Sequence, residues 1–174
     1  ANFNDNTRQI VANLDVPSFS YNGHLYERGT VNISSPLDTL LLQASIWSIE
    51  DDREPFALKV DGHAADNNIS FALAWNNNDA VSPFHGVLNA SAELYRNLSD
   101  QSEAHVRIFP SNVTLRNAQW LIEPSDILYS EGRLLIDNFA VHNGEQYIKA
   151  DGIASSQKTD SVNATLKNIE VADI

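Results

Sequence analysis

Between its turns this chain places apolar side chains two residues apart. Nowhere over roughly ten residues or more does it place them 3.6 apart. A period of two belongs to a strand with one buried face, because successive side chains leave a strand on opposite sides. Ile10, Ala12, Leu14 and Val16 alternate with Val11, Asn13 and Asp15. Phe56, Leu58 and Val60 alternate with Ala57, Lys59 and Asp61, and Ile69, Phe71, Leu73 and Trp75 with Ser70, Ala72 and Ala74. Val162, Ala164 and Leu166 alternate with Asn163, Thr165 and Lys167. Leu40, Leu42, Ala44 and Ile46 share their segment with Leu41, Trp47 and Ile49, so partial cover on both faces is expected there. Leu88, Ala90, Ala92 and Leu94 read as a strand, with a helical turn through Leu88, Ala92 and Tyr95 as the weaker option. Turn signals recur about every 8–12 residues, the spacing of an all-β fold. No helix-sized interval separates the strands, so the sheet is expected to be antiparallel.

The sharpest turn signal is Asn143-Gly144, which separates two alternating runs. A type I′ turn there needs positive φ at both positions and sets the register of the hairpin. In that register His142 faces Glu145, Phe139 faces Ile148, Asp137 faces Ala150, and Leu135 faces Gly152. One side then carries Leu135, Phe139, Val141, Ile148, Ala150 and Gly152, and the other carries Asn138, Lys149 and Asp151. Asn22-Gly23 marks a second hairpin, and the acidic stretch from Glu50 to Pro55 a third turn.

With 174 residues, 43% of them hydrophobic, the chain can bury a core and suits one domain or one segment of a longer repetitive protein. Its net charge is -12, and its eleven cationic side chains form no run. That excludes a phosphate-binding surface, which needs clustered cations, so no nucleic-acid partner is expected. It also excludes electrostatic docking on anionic lipid heads. The absence of cysteine removes disulfides, thiol nucleophiles and thiolate metal sites.

None of the five histidines has a metal-ligand spacing, and no nucleophile elbow or glycine-rich phosphate loop occurs. The stretch 50–55 lacks the Asp-x-Asp-x-Asp-Gly pattern of a calcium loop and contains Arg53, so a solvated turn is the reading. No catalytic residue, metal or cofactor is expected, and the chain is read as non-enzymatic. Sequons at Asn32, Asn68, Asn89, Asn97, Asn112 and Asn163 follow from an asparagine-rich composition. The chain has no methionine, and its last residues, 169–174, still alternate like a strand. Both features suit a piece of a longer molecule. An apolar sheet face with no amphipathic helix to cover it leaves two solutions. The sheet closes on itself as a sandwich, or it bends into a trough with an apolar inner wall.

Trp120-Leu121-Ile122-Glu123-Pro124-Ser125-Asp126-Ile127 resembles a phrase of TamB proteins, in which a tryptophan and a short run lead to a Pro-Ser/Thr-x-Ile step. Gly132 to Phe139 resembles the strand that follows, His142 to Ser155 the next hairpin, and Asp160 to Ile169 the strand closing the unit. Pro17 to Gly23 has the look of an internal repeat of the same family. The resemblance is best over 120–174, within a single β-rich segment spanning 1–174.

TamB belongs to the AsmA-like group of Gram-negative envelope proteins. The resemblance implies a periplasmic molecule anchored in the inner membrane by a segment not found here. It implies a strongly curved antiparallel sheet, a β-taco with an apolar groove. Its partner would be a BamA-like outer-membrane barrel of the TamA type, and its cargo phospholipid or unfolded outer-membrane protein. The wall of that groove is expected from Phe56, Leu58, Val60, Ile69, Phe71, Leu73, Leu135, Phe139, Val141, Ile148, Val162, Ala164 and Leu166. Exposed strand edges would let the fragment pair edge to edge as a dimer. The alternative is a secreted β-sandwich for adhesion or carbohydrate binding, with Trp47, Trp75 and Trp120 converging in space.

Overall fold

The computed structural model describes residues 2–4, 9–21, 24–50 and 53–169. The Asn22-Gly23 turn, Asp51 and Asp52 of the acidic stretch, and the alternation beyond Ile169 lie outside the described residues. Everything regular is strand: β1 (Asn2–Asn4), β2 (Gln9–Tyr21), β3 (His24–Ser34), β4 (Leu40–Glu50), β5 (Arg53–Ala65), β6 (Asn68–Asn76), β7 (Phe84–Arg96), β8 (Ser102–Ile108), β9 (Ser111–Leu115), β10 (Ala118–Ile122), β11 (Ser125–Ser130), β12 (Arg133–Asn143), β13 (Gln146–Ala154) and β14 (Val162–Lys167). All fourteen belong to one antiparallel sheet. The segment at Leu88, Ala92 and Tyr95 is strand, not helix, because it is hydrogen-bonded along both its edges.

The order looks branched at β7, which pairs with both β8 and β9. The registers remove the branch. Ile108 pairs with Ser125 and Ser111 with Ile122 on one continuous ladder, so β8 and β9 are two halves of one bent strand. β10 and β11 are likewise halves of one strand facing β12. The fourteen segments therefore occupy twelve ranks of a plain up-and-down meander. At strand spacings of 4.7–4.9 Å it is roughly 50 Å wide.

What bends those strands is a proline-serine step. Pro110 and Pro124 have no amide to give, so each interrupts its ladder. The neighbouring groups close the gap. The Phe109 amide donates to the Asn89 carbonyl at 2.9 Å, and the Glu123 amide to the Ala140 carbonyl at 2.9 Å. The Ser111 hydroxyl donates to the Phe109 carbonyl at 2.9 Å and accepts from the Asn89 amide at 3.2 Å. The Ser125 hydroxyl sits 3.1 Å from the Glu123 carbonyl and 3.3 Å from that of Asn138. Both serines are buried. On the next strand the register slips between Ile136 and Phe139, and Asn138 takes a φ of 51°. Three bulges thus stand side by side across the sheet. At its other end Pro17 lies opposite Arg28, whose φ is 53°, beside a slip between Glu27 and Thr30.

Each bulge adds one residue and so resets the phase of the alternation. Before the step β12 turns Leu134 and Ile136 to one side; after it, Phe139 and Val141 take that side. Leu135 falls on the opposite side, in register with Leu128 and His105. The expected placement of Leu135 beside Phe139 and Val141 is corrected by this extra residue. The hairpin register is corrected as well: Asn143 pairs with Gln146, His142 with Tyr147, Val141 with Ile148, and Phe139 with Ala150. The loop is Gly144-Glu145, with positive φ at Gly144 alone, the φ pattern of a type II′ turn rather than a I′ turn.

Two predictions follow from local geometry. Gly152 has a φ of 125°, and a Cβ there would run into the Ser161 carbonyl that accepts the Ile153 amide at 2.9 Å. Gly152→Ala should cost about 1–3 kcal/mol, the usual scale for such backbone strain, read as a lowered urea midpoint with faster amide exchange at Ile153. Glu103 accepts from the Ser130 hydroxyl at 2.6 Å and from the Asn97 side-chain amide at 3.0 Å. These bonds, Ser130 first, hold its carboxyl below the ordinary 4.5. A depressed folded-state pKa means that the added stability is present above 4.5 and is lost as the pH falls through the lower folded value. Exchange protection around Ser130 should weaken over that acid window, and Glu103→Gln should abolish the dependence.

Candidate functional site: a charge-free apolar sheet face

Residues that pair across an antiparallel ladder point to the same side, so the registers sort every strand residue onto one of two faces. One rank reads Leu14, Val31, Ala44, Val60, Leu73, Leu88. The next reads Ala12, Ile33, Leu42, Gly62, Phe71, Ala90, Ile108, Ser125. The one after reads Leu40, Ala64, Ile69, Ala92, Val106, Ile127, Ile136, Gly152, Val162. On the far side of the bulges lie Ile122, Val141, Ile148 and Leu166. Among the strand residues whose side chains are described, one charged side chain falls in register with this face: Arg96, in the last position of β7, where it folds back onto Asp100 at 3.0 Å.

All the candidate wall residues except Leu135 stand on this face. Phe56, Leu58 and Val60 come from β5, Ile69, Phe71 and Leu73 from β6, and Phe139 and Val141 from β12. Ile148 comes from β13, and Val162, Ala164 and Leu166 from β14. Periodicity had not singled out Val31, Ala44, Leu88, Val106, Ile127 or Ile136 as wall residues, although they continue the same ranks. The signal that could have found them is pairing partner, which a single segment does not reveal.

Little covers this face. Among the described residues only Ala90, Trp120 and Ile122 are buried hydrophobics, at 2%, 6% and 8% exposure. Leu14 is 56% exposed and Leu166 60%. The chain exposes 11924 Å², against about 8,500 Å² expected for a compact monomer of its mass. An apolar hollow of about 230 Å³ lies among Val16, Phe19, Val31, Ala44, Ile46, Leu58 and Val60. Phe19 stacks on Tyr26 at 5.0 Å along its rim.

Trp75 and Trp120 share one rank, separated by Gly86 and Val113. Gly86 is the gap in which Trp75 lies, since a Cβ there would stand 2.7 Å from the indole ring. Neither indole N–H has a hydrogen-bond partner, so both tryptophans act as apolar bodies. Trp47 points to the other face, where the Arg28 guanidinium sits 5.0 Å above its ring. The three tryptophans do not converge.

The opposite face carries the charge. Gln43 donates to Asp61 at 3.2 Å, Thr30 and Ser45 share a bond of 2.8 Å, and His142 meets Glu123 at 2.6 Å. His105 and Arg107 both lie against Asp126. No group of three potential metal ligands converges among the described residues. A hollow of about 620 Å³ opens here, where Asn32, Gln43, Asp61, His63 and Asn89 share a wall with Leu41, Ala72 and Phe109, and the wall is more apolar than polar.

No family model matches the chain, and neither a curated protein nor a solved structure does.

A charge placed on the apolar face has no counter-ion within reach and must be desolvated by anything that binds there. An environment-sensitive apolar dye should bind the native chain, and Val60→Asp should weaken that binding on the order of tenfold. Thr30→Asp, on the polar side of the same strands, should leave it unchanged. Titration of dye fluorescence, with circular dichroism to confirm the fold, measures both.

Proposed function

We propose that this chain is a non-enzymatic module of the cell envelope that carries apolar cargo along the uncovered face of its sheet. The observation that supports this reading is the separation of faces. Apart from Arg96 at a strand end, the described side chains on one side of the twelve strands are uncharged, and little covers that side. The cargo is phospholipid, or the unfolded strands of outer-membrane protein. An acyl chain asks only for an apolar wall and gains roughly 0.8 kcal/mol per CH₂ buried. A barrel strand asks for the same wall for its alternate side chains, plus backbone partners.

In this reading the sheet bends into an open trough with the apolar face inside. The two lines of bulges, at Pro17 with Arg28 and at Pro110, Pro124 and Asn138, support it, because bulges bend and twist a sheet. The TamB-like phrases of 120–174 add a setting: a periplasmic position between the two membranes of a Gram-negative cell, anchored in the inner one. A TamA-type barrel would be the partner of the full-length protein.

A second reading is favoured by the hollow on the polar face. Amide side chains from Asn32, Gln43 and Asn89, the Asp61 carboxylate and the Phe109 ring border it, a mixture that suits a carbohydrate, as an adhesion or carbohydrate-binding module would require.

One experiment separates these readings. A photo-reactive residue is placed at Leu73 or Phe139 on the apolar face, and at Asp61 on the polar face, in the protein in cells. Phospholipid captured from Leu73 and Phe139 but not from Asp61 is the expected result for a lipid conduit. Outer-membrane polypeptide captured from the same two positions identifies a chaperone. Glycan captured at Asp61, with nothing at the other two, would replace the apolar-cargo function by the carbohydrate one.

A further inference from the structure

β14 is bonded to β13 on one side, and among the described residues nothing pairs with its other side. The Ile153 amide donates to the Ser161 carbonyl at 2.9 Å, so Ser161 turns its backbone groups inward, toward β13. Backbone direction alternates along an antiparallel strand. Asn163, Thr165 and Lys167 therefore also point inward, and Val162, Ala164 and Leu166 present their N–H and C=O groups outward. All six residues of β14 are exposed. The strand has no proline and no bulge, the features that usually blunt such an edge. Its one charge, Lys167, sits at the end.

We propose that this edge pairs with the same edge of a second copy of the chain, antiparallel and centred on Ala164. Residues brought opposite each other must share a face, which forbids any register that sets Ala164 against Asn163 or Thr165. With Ala164 opposite Ala164, Val162 meets Leu166 of the partner subunit, and all three outward N–H groups and all three carbonyls are satisfied. Asn163 then stands opposite Thr165 of the partner subunit, and Lys167 opposite Ser161 of the partner subunit, so no like charges meet. Other registers that keep the faces aligned leave outward groups unpaired at the strand ends. The pairing joins two apolar faces into one sheet twice as wide. It stands independently of what that face carries.

The test uses sedimentation equilibrium together with oxidation of single cysteines, which are unambiguous in a chain that has none of its own. The native chain should double in mass with rising concentration. Ala164→Pro removes one outward amide and none of the bonds to β13, and should remain monomeric with an unchanged circular dichroism spectrum. Ala164→Cys should oxidise to a covalent dimer, because Cα atoms of a hydrogen-bonded pair stand about 5.5 Å apart, within disulfide reach. Asn163→Cys should not, because its counterpart is Thr165 and not itself. A native chain that stays monomeric at all concentrations overturns the proposal. So does a dimer that forms in spite of a folded Ala164→Pro chain, which would point to contact through the apolar faces. If the proline variant loses its fold, the cysteine pair decides: crosslinking at 163 as readily as at 164 refutes the register.

Discussion

A strand sends successive side chains to opposite sides, and the rest of this structure depends on keeping that alternation in phase. One extra residue exchanges the faces of everything downstream. The chain uses such residues where its hydrophobic pattern changes parity. Val106 and Ile108 precede the Phe109-Pro110-Ser111 step, and Val113 and Leu115 follow it, all on one face. Trp120 and Ile122 precede Glu123-Pro124-Ser125, and Ile127 and Tyr129 follow it. A ladder without these bulges would turn half of each strand's apolar side chains into the charged face. The proline breaks the ladder, the serine hydroxyl answers the freed backbone groups, and the phase shift is held at low cost. Burial of Ser111 and Ser125 shows that these polar groups are structural closures, not surface decoration.

A single layer of sheet has its own energetics. The backbone ladders are complete through most of the ranks, but side chains touch neighbours mainly within one face. That accounts for the three buried hydrophobics among the described residues of a chain that is 43% hydrophobic. Cohesion comes from cross-strand pairs, directly opposite for Phe19 on Tyr26 and diagonal for Trp75 beside Phe84. The chain's net charge is -12, and among the residues whose side chains are described the charged ones lie on the polar face, in loops and at strand ends. Charge of one sign keeps copies apart in solution, while the apolar face favours association. The two tendencies act on different surfaces of the same strands, so neither cancels the other.

The alternation made the fold class legible, and turn spacing made the antiparallel order legible. The shared face of Phe56 to Val60 and Ile69 to Leu73 was legible because these segments run between turns with no interruption. Leu135 was misplaced because Asn138 gives no sequence sign of an extra residue; it reads as one more polar position in an alternating run. The register at Asn143-Gly144 failed for a related reason. The pair fits a I′ turn locally, but the partner strand fixes Asn143 opposite Gln146, and the turn moves one residue on. Pro110 and Pro124 were not legible as joints inside one continuous strand, because continuity lives in pairing with the neighbouring strands. Trp75 and Trp120 share a rank through strand register, which no single segment reveals, and Gly86 leaves the space that the Trp75 indole takes.

The sheet leaves two kinds of surface open, and they ask for different chemistry. The face asks for apolar area and is indifferent to direction. The β14 edge asks for N–H and C=O groups at strand spacing and gains nothing from hydrocarbon. An acyl chain satisfies the face and leaves the edge as it was. A polypeptide strand with alternating side chains satisfies both together, because Val162, Ala164 and Leu166 offer their backbone outward and their side chains to the apolar face at once. Occupancy of the edge by a second copy, as proposed, would therefore separate the two proposed cargoes on physical grounds. It leaves an acyl chain the whole wall, widened, and it takes from an incoming strand the backbone partners it would find at β14.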